Sequence, residues 1–215
     1  MKFHHLYNSR AGETCVIIGN GPSLRDVPDS WLDLYPTFGA NRIYLKYPKP
    51  TYYVAVNPLV IEQCKGEITF VVQSDKKFIR ENTGFDMEYE LHSVNVPMFS
   101  YNPCDWLYEG YTVTFASLVL AFFMGFDTAL LVGVDHRFKY DVEPNEETTL
   151  TGEDPNHFDP SYFKGMRWNA PDLEQSEWAY KLAKEAYENN GRQIINLTPN
   201  SALDVFHKAE PEWVP

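Results

Sequence analysis

The chain has 215 residues, 44% of them hydrophobic and 15% aromatic, which suffices for one domain with a proper core and excludes a disordered chain. Its formal net charge of −12 argues against non-specific binding to nucleic acid or an anionic membrane, since both need Lys and Arg against phosphate. Three cysteines, Cys15, Cys64 and Cys104, at no metal-ligand spacing, fit a reducing compartment without a disulfide framework.

Residues 1–10 lack the apolar stretch of a signal peptide, so a cytoplasmic location is expected. Cys15-Val16-Ile17-Ile18 is a continuous apolar run ending in Gly19, the pattern of a central parallel strand covered on both faces. Asp26-Val27-Pro28-Asp29 starts a short helix. Thr37-Phe38-Gly39-Ala40 and residues 51–56 read as the second and third strands, and Asn57-Pro58 ends the third. Ile68-Thr69-Phe70-Val71-Val72 reads as a fourth strand. Residues 75–110 hold no period. Residues 113–126 read as a buried helix, too short to cross a bilayer, so no transmembrane segment is expected. Ala129-Leu130-Leu131-Val132 is another buried strand ending in Gly133. Residues 136–170 are polar and aperiodic, as lids are. Residues 173–188 form an amphipathic helix stopped by Asn189-Asn190-Gly191, and Ile194-Ile195-Asn196-Leu197 is a last strand. This alternation predicts one domain over residues 1–215: a single Rossmann-like α/β domain, with a mostly parallel sheet, helices on both faces and a long lid loop over about 136–170. Homo-oligomerisation is left open.

Ligands of open α/β sheets bind beyond the carboxyl ends of the strands, and here those ends are small and polar. After the first strand comes Gly19-Asn20-Gly21-Pro22-Ser23-Leu24. Its glycines allow a tight turn and a close backbone approach, Asn20 and Ser23 add side-chain hydrogen bonds, and free N–H groups can hold a phosphate. The alternative is a plain strand-to-helix corner. Leu24 replaces the third glycine of a dinucleotide fingerprint, and Asn41-Arg42 follows the second strand instead of an acidic residue, so an NAD enzyme is not expected. Asn20, Asn41 and Asn57 end three successive strands and can line one crevice, although Asn is also a common turn residue. After the strand ending at Gly133 comes Val134-Asp135-His136-Arg137, where Asp135 is a base, metal or hydroxyl-acceptor candidate, or a loop cap. Asp135-His136 lacks a third ligand at a recognised spacing, so no metal site is expected.

The segments Val16 through Leu24, Asn41-Arg42 with Tyr44, Val56-Asn57-Pro58, Gly125-Phe126 through Asp135, and Pro199-Asn200-Ser201 with Phe206 occur in register with the strand ends. In this order they resemble the small sialyltransferases of bacterial lipo-oligosaccharide synthesis. The wider group of sialyltransferase-like domains, which includes 6-hydroxymethylpterin diphosphokinase-like proteins, is similar too. The resemblance implies a CMP-type nucleotide-sugar donor, used as a substrate with no resident cofactor, and a hydroxyl-bearing acceptor. It places Gly19, Asn20, Gly21 and Ser23 at phosphate and sugar, Asn41 and Asn57 at the glycosyl group or ribose, and Asn200 and Ser201 by the nucleotide. Thr112-Val113-Thr114 stands where the family has Thr-Ser-Gly. The family uses Tyr hydroxyls at the leaving phosphate and a lid His as base. Here His136, Arg137 and Tyr140 follow Asp135, and the segment before the long helix carries Arg167, Trp168 and Asn169 and no His.

Sugar departure builds positive charge on the ring and negative charge on the phosphate, so the helix N-terminus after Gly21 and Arg137 or Arg167 are the expected stabilisers. His157, with Asp159 close in sequence to orient it, is the expected base, and Asp135 the second candidate. Two rivals remain. A Mg²⁺-dependent diphosphokinase acting on a small hydroxymethyl compound would use Asp135 at the metal. A catalytically silent nucleotide-binding domain would keep the crevice without its base, as Asn169 in the lid suggests.

Overall fold

The computed structural model describes residues 3–74, 76–85 and 89–211. Met1, Lys2 and residues 212–215, which the expected domain 1–215 includes, lie outside the described residues, as do Asp75 and residues 86–88. In chain order the elements are β1 (Thr14–Ile18), α1 (Asp29–Leu32), β2 (Thr37–Ala40), β3 (Tyr52–Ala55), α2 (Pro58–Gln63), α3 (Lys65–Phe70), β4 (Lys76–Arg80), β5 (Tyr89–Leu91), β6 (Ser93–Val94), β7 (Leu107–Tyr108), α4 (Val113–Met124), β8 (Thr128–Val132), β9 (Glu147–Thr149), β10 (Arg167–Asn169), α5 (Leu173–Glu188), β11 (Gln193–Asn196) and β12 (His207–Lys208).

Eight strands form one sheet in the order β12-β11-β8-β1-β2-β3-β4-β5, and every neighbouring pair is parallel. The strand read as central from its apolar run, β1, lies between β8 and β2. Its side chains alternate between two cores, as a period of two requires. Cys15 and Ile17 join Phe38, Tyr52, Val54, α4 and α5 on one face. Val16 and Ile18 join Tyr53, Ala55, α2 and α3 on the other. The sheet is therefore covered on both faces, which explains why its central strands read as unbroken apolar runs.

Helix α4 is buried all round, from Thr114 to Met124. It lies between the sheet and α5, so no face needs to be polar. Thr112 caps its start, accepting from the Thr114 N–H at 3.3 Å. Gly125 ends it in the left-handed conformation, φ 93°.

Two expectations change. Residues 68–72 do not form a strand: α3 covers Lys65–Phe70 and the strand follows at Lys76–Arg80. The buried residues Cys64, Ile68 and Val72 are four apart, while Phe70 is 87% exposed. That spacing is one helical face and no pleat. Residues 75–110 hold strands β4 to β7, short elements whose pattern is too brief to show a period. The lid segment 136–170 is also more than a loop. It contains the antiparallel hairpin β9–β10 and lays Phe158, Tyr162, Phe163 and Trp168 into the second core.

Candidate active site

Chain connections leave β1 toward β2 on one side, while β8 and β11 lie on the other. Such a switch in direction opens a crevice beyond the carboxyl ends of the strands. A cavity of about 140 Å³ lies there, lined by the turn after β1 (Gly19, Asn20, Gly21) and the turn after β8 (Gly133 to Phe138). Asn41, the start of α4, Asn156 and His157 complete its walls. A second compartment of about 430 Å³, lined by Asn57 and Asn169, shares Asn41, Tyr111, Thr112, Val113 and Pro171 with it. Asn20, Asn41 and Asp135 thus share one cavity, and Asn57 faces the adjoining one.

The glycines of the first turn serve packing between strand ends. Gly19 and Gly21 donate their N–H groups to Val132 O at 2.7 Å and Gly133 O at 2.8 Å. A Cβ on Gly21 would stand 2.0 Å from Asp135 Oδ2. The Ser23 N–H and hydroxyl are also committed, both donating to the Asp135 carboxylate, the hydroxyl at 2.7 Å. The expectation of free N–H groups for a phosphate is therefore not met at Gly19, Gly21 or Ser23. Asp135 already occupies the anion position at the start of the short 3₁₀ turn Pro22–Asp26. Burial pushes the Asp135 carboxyl up, against the pull of these hydrogen bonds. Both its oxygens accept from Ser23. Among the described residues no group of three His, Cys, Asp or Glu side chains is placed around a metal position.

The asparagines divide by hydrogen bonding. Asn20 Nδ2 donates to Ala40 O at 3.3 Å, which turns Oδ1 the other way. Asn20 Oδ1 and Asn41 Oδ1 are both buried without a hydrogen-bond partner among the described residues. Buried acceptors need donors. Phosphate oxygens cannot serve them, whereas ribose or sugar hydroxyls and a base amine can. Asn41 is held in the left-handed region at φ 52°, a conformation Asn tolerates. Asn57 does turn work as well: Oδ1 caps α2 by accepting from Leu59 N at 2.9 Å, and Nδ2 donates to Asn169 Oδ1 at 3.4 Å. Replacing Asn20 by Ala is expected to weaken nucleotide binding by about 1–3 kcal/mol in a calorimetric titration. Unchanged affinity would remove Asn20 from the binding surface.

His157 carries the clearest chemistry. Its Nδ1 lies 2.8 Å from Oδ2 of the buried Asp154. The carboxylate can only accept there, so a neutral ring keeps its proton on Nδ1 and leaves Nε2 as a free base. The orienting acid is Asp154; Asp159, expected from its closeness in sequence, instead caps Ser161. The pair is rigidly framed. Asn156 N–H donates to Asp154 Oδ1 at 2.9 Å, and the ring stacks on Tyr162 at 4.1 Å. Arg25 holds the carbonyls of His157 and Phe158, and the Phe158 N–H reaches Asn20 O at 3.0 Å.

A second imidazole, which sequence reasoning did not select, lines the same cavity. His136 Nε2 lies 3.1 Å from Glu177 Oε1. Burial lowers its pKa against the opposing pull of Glu177. Its backbone is left-handed, φ 54°, as is that of Tyr111, φ 58°. Strained backbone at two non-glycine wall residues marks a site held in shape by its surroundings. Neither conformation has a signal in the residue types.

Of the expected cations, Arg137 lines the cavity and donates to Asn200 O at 3.0 Å. Arg167 is not among the lining residues; its head is paired at 3.3 Å with both Glu62 and Glu147 on the surface. Asn200 and Ser201 do not line the cavity either. They brace its back wall, Ser201 Oγ donating to Val134 O at 2.6 Å. Thr112 lines both compartments, 3.4 Å from the Tyr180 hydroxyl.

No family model and no curated protein sequence matches the chain. Solved structures match its fold. A point variant of the sialyltransferase CST-II in complex with CMP has a TM-score of 0.52 and 15% identity, covering 94% of this chain and 87% of that one. CST-II in complex with a trisaccharide acceptor and CMP has a TM-score of 0.50 and 15% identity, covering 94% and 88%. CstII from Campylobacter jejuni in complex with a substrate analogue, cytidine-5'-monophosphate, has a TM-score of 0.49 and 14% identity, covering 94% and 86%. The first two show that the chain shares the α/β fold of these structures over nearly its whole length. At these identities the likeness is one of fold, and the chemistry has to come from the chain's own residues.

Proposed function

We propose that the protein is a glycosyltransferase that moves a sugar from a CMP-type nucleotide-sugar to an acceptor hydroxyl, with His157 as base. The observation that carries this reading is the His157–Asp154 pair at the wall of the cavity, with Nδ1 held by the carboxylate, which leaves Nε2 as the basic nitrogen of the neutral ring. The fold shared with CMP-bound sialyltransferases supports the donor class.

In the transfer, the acceptor oxygen forms a bond to the anomeric carbon as the bond from that carbon to the phosphate oxygen breaks. The electron pair of the broken bond leaves with CMP, and the acceptor proton passes to His157 Nε2. Arg137, the one arginine or lysine among the described lining residues, meets the charge left on phosphate. Asn20 and Asn41 take hydroxyl or amine donors of the ligand, as their unpaired oxygens require. Ser23 acts through Asp135, which it holds, and Asn200 and Ser201 act through the turn that carries Arg137.

Nothing in this scheme routes a step through a metal. Release of sugar from a CMP-sugar should therefore proceed in EDTA at the rate seen without it. Abolition of turnover by EDTA, restored by Mg²⁺, would refute the scheme. A reducing, cytoplasmic setting suits the three buried cysteines, and among the described residues no helix is long and apolar enough to cross a membrane.

A further inference from the structure

The cavity wall carries two imidazoles, each paired with its own carboxylate, and the transfer scheme uses one of them. His157 stands on the lid, whereas His136 stands on the turn after β8, next to Arg137. We propose that His136 is a second catalytic residue, an acid that gives its Nδ1 proton to the phosphate oxygen leaving the sugar while His157 takes the acceptor proton. The step rests on the donor reading above for the bond that breaks.

The pairing with Glu177 decides which nitrogen works. Glu177 reaches across from α5, and its Oε1 lies 3.1 Å from His136 Nε2. A carboxylate only accepts, so Nε2 keeps its proton in the neutral ring and in the imidazolium alike. The proton that comes and goes is therefore the one on Nδ1, which has no hydrogen-bond partner among the described residues. His157 is the mirror case, with Nδ1 fixed by Asp154 and Nε2 exchanging. Imidazole is the side chain that changes charge near neutral pH, and His136 and His157 are the two imidazoles among the described lining residues.

The surroundings of His136 suit an acid. Its side chain is 6% exposed, and that of Glu177 is 42% exposed. Burial lowers its pKa, against the opposing pull of Glu177. A lower pKa makes the imidazolium readier to give its proton up. Asp135 and Arg137 flank the ring on its own turn, and Tyr180 faces it from α5 with ring centroids 6.1 Å apart. The lid brings His157 with Asp154 to the same cavity, and the described lining residues at the start of α4 are uncharged. A bound phosphate adds negative charge to this set and favours the protonated ring, so donor binding loads the acid. The fold holds the ring in place through a left-handed backbone, φ 54°, which surroundings must enforce.

As the bond from the anomeric carbon to the phosphate oxygen breaks, its electron pair stays on that oxygen, which takes the Nδ1 proton. CMP leaves as the monoanion, His136 becomes neutral and His157 becomes the imidazolium. One proton lost from His157 to water, and one gained by His136 from water, restore the site.

The test reads protonation and rate on the full chain. Nitrogen NMR of the imidazole rings identifies His136 by the signals lost in His136→Asn, a variant whose fold is protected because Asn tolerates left-handed backbone. The titration midpoint of His136 should rise by about 1–3 pH units when CMP saturates the protein, and stay in place with cytidine, which lacks the phosphate. Glu177→Gln, which removes the carboxylate charge, should lower the midpoint with and without CMP. On a CMP-sugar that the parent turns over, kcat should fall toward both acid and alkaline pH, as a base and an acid together require. His136→Asn should lower kcat by about 10²-fold or more and lose the alkaline fall while keeping the acid one. A merely structural role would lower the rate and leave the shape of the profile alone. CMP binding that leaves the His136 midpoint unmoved, or an alkaline fall retained in His136→Asn, would overturn the acid and leave the donor reading standing. Absence of CMP binding, or of turnover of any CMP-sugar, would overturn the donor reading and this step with it.

Discussion

Replacing His157 by alanine should lower turnover of a CMP-sugar by roughly 10²–10⁴-fold, the usual contribution of a positioned general base. Nucleotide affinity should change little, because the ring is engaged by Asp154, Tyr162, Phe163 and Phe138. The loss should therefore fall on kcat and not on donor binding. Asp154→Asn is the companion variant. It keeps the shape but offers an amide to Nδ1, which disturbs the tautomer that leaves Nε2 free. Its turnover should lie between those of the parent and His157→Ala. Asp159→Asn should leave turnover near the parent's, since Asp159 bonds Ser161 and not the imidazole. If His157→Ala kept the parent kcat, the base would lie elsewhere in the cavity.

The largest effect on stability is expected at Gly19. A Cβ there would stand 2.3 Å from Gly133 O and 2.7 Å from Gly133 C, both backbone atoms at the end of β8. Neither can rotate away, and the strand ends are held at that distance by the Gly19 N–H to Val132 O bond of 2.7 Å. Gly19→Ala must push β1 and β8 apart in the middle of the sheet, at a cost of about 3 kcal/mol or more. Gly21→Ala meets the Asp135 side chain instead, and a side chain can move. It should destabilise less and shift Asp135 from its Ser23 partners. Urea unfolding of the two variants checks the order. A Gly19→Ala midpoint equal to the parent's would mean that the two strand ends do not approach this closely.

The elements with strong, long patterns were legible from the residues alone. The runs at β1 and β8, the all-apolar α4 and the amphipathic α5 give a parallel sheet covered on both faces, and the strand ends carry Asn20, Asn41 and Asp135 to one crevice. Short segments failed for a physical reason. Residues 68–72 are rich in β-formers, and only the fourfold spacing of Cys64, Ile68 and Val72, read across the neighbouring segment, identifies the helix. The site was legible in its parts and not in its pairings. Asp154 and Asp159 are similar distances along the chain from His157, and the choice between them is made by the fold of residues 154–161. Arg167 is carried away from the crevice by the β9–β10 hairpin, which the aperiodic sequence conceals. The two glycines after β1 looked like a phosphate turn because their residue types allow one. Their N–H groups are taken by β8, a neighbour more than a hundred residues away in sequence.

That last point shifts the weight of recognition from phosphate to the donors of the ligand. Asn20 Oδ1 and Asn41 Oδ1 are buried without a partner among the described residues, and Arg137 lines the same cavity; in the proposed reading the first two take hydroxyl or amine groups and Arg137 meets the phosphate. The rival diphosphokinase reading demands the opposite, a triphosphate held with Mg²⁺ at Asp135. Isothermal titration of CMP, UMP, ADP, GDP and ATP, the last with and without Mg²⁺, separates the two. A CMP-type donor site predicts saturable binding of CMP that EDTA leaves unchanged, with the purine nucleotides at least about tenfold weaker, a difference of roughly 1.4 kcal/mol. Mg²⁺-dependent binding of ATP with no heat from CMP would contradict it.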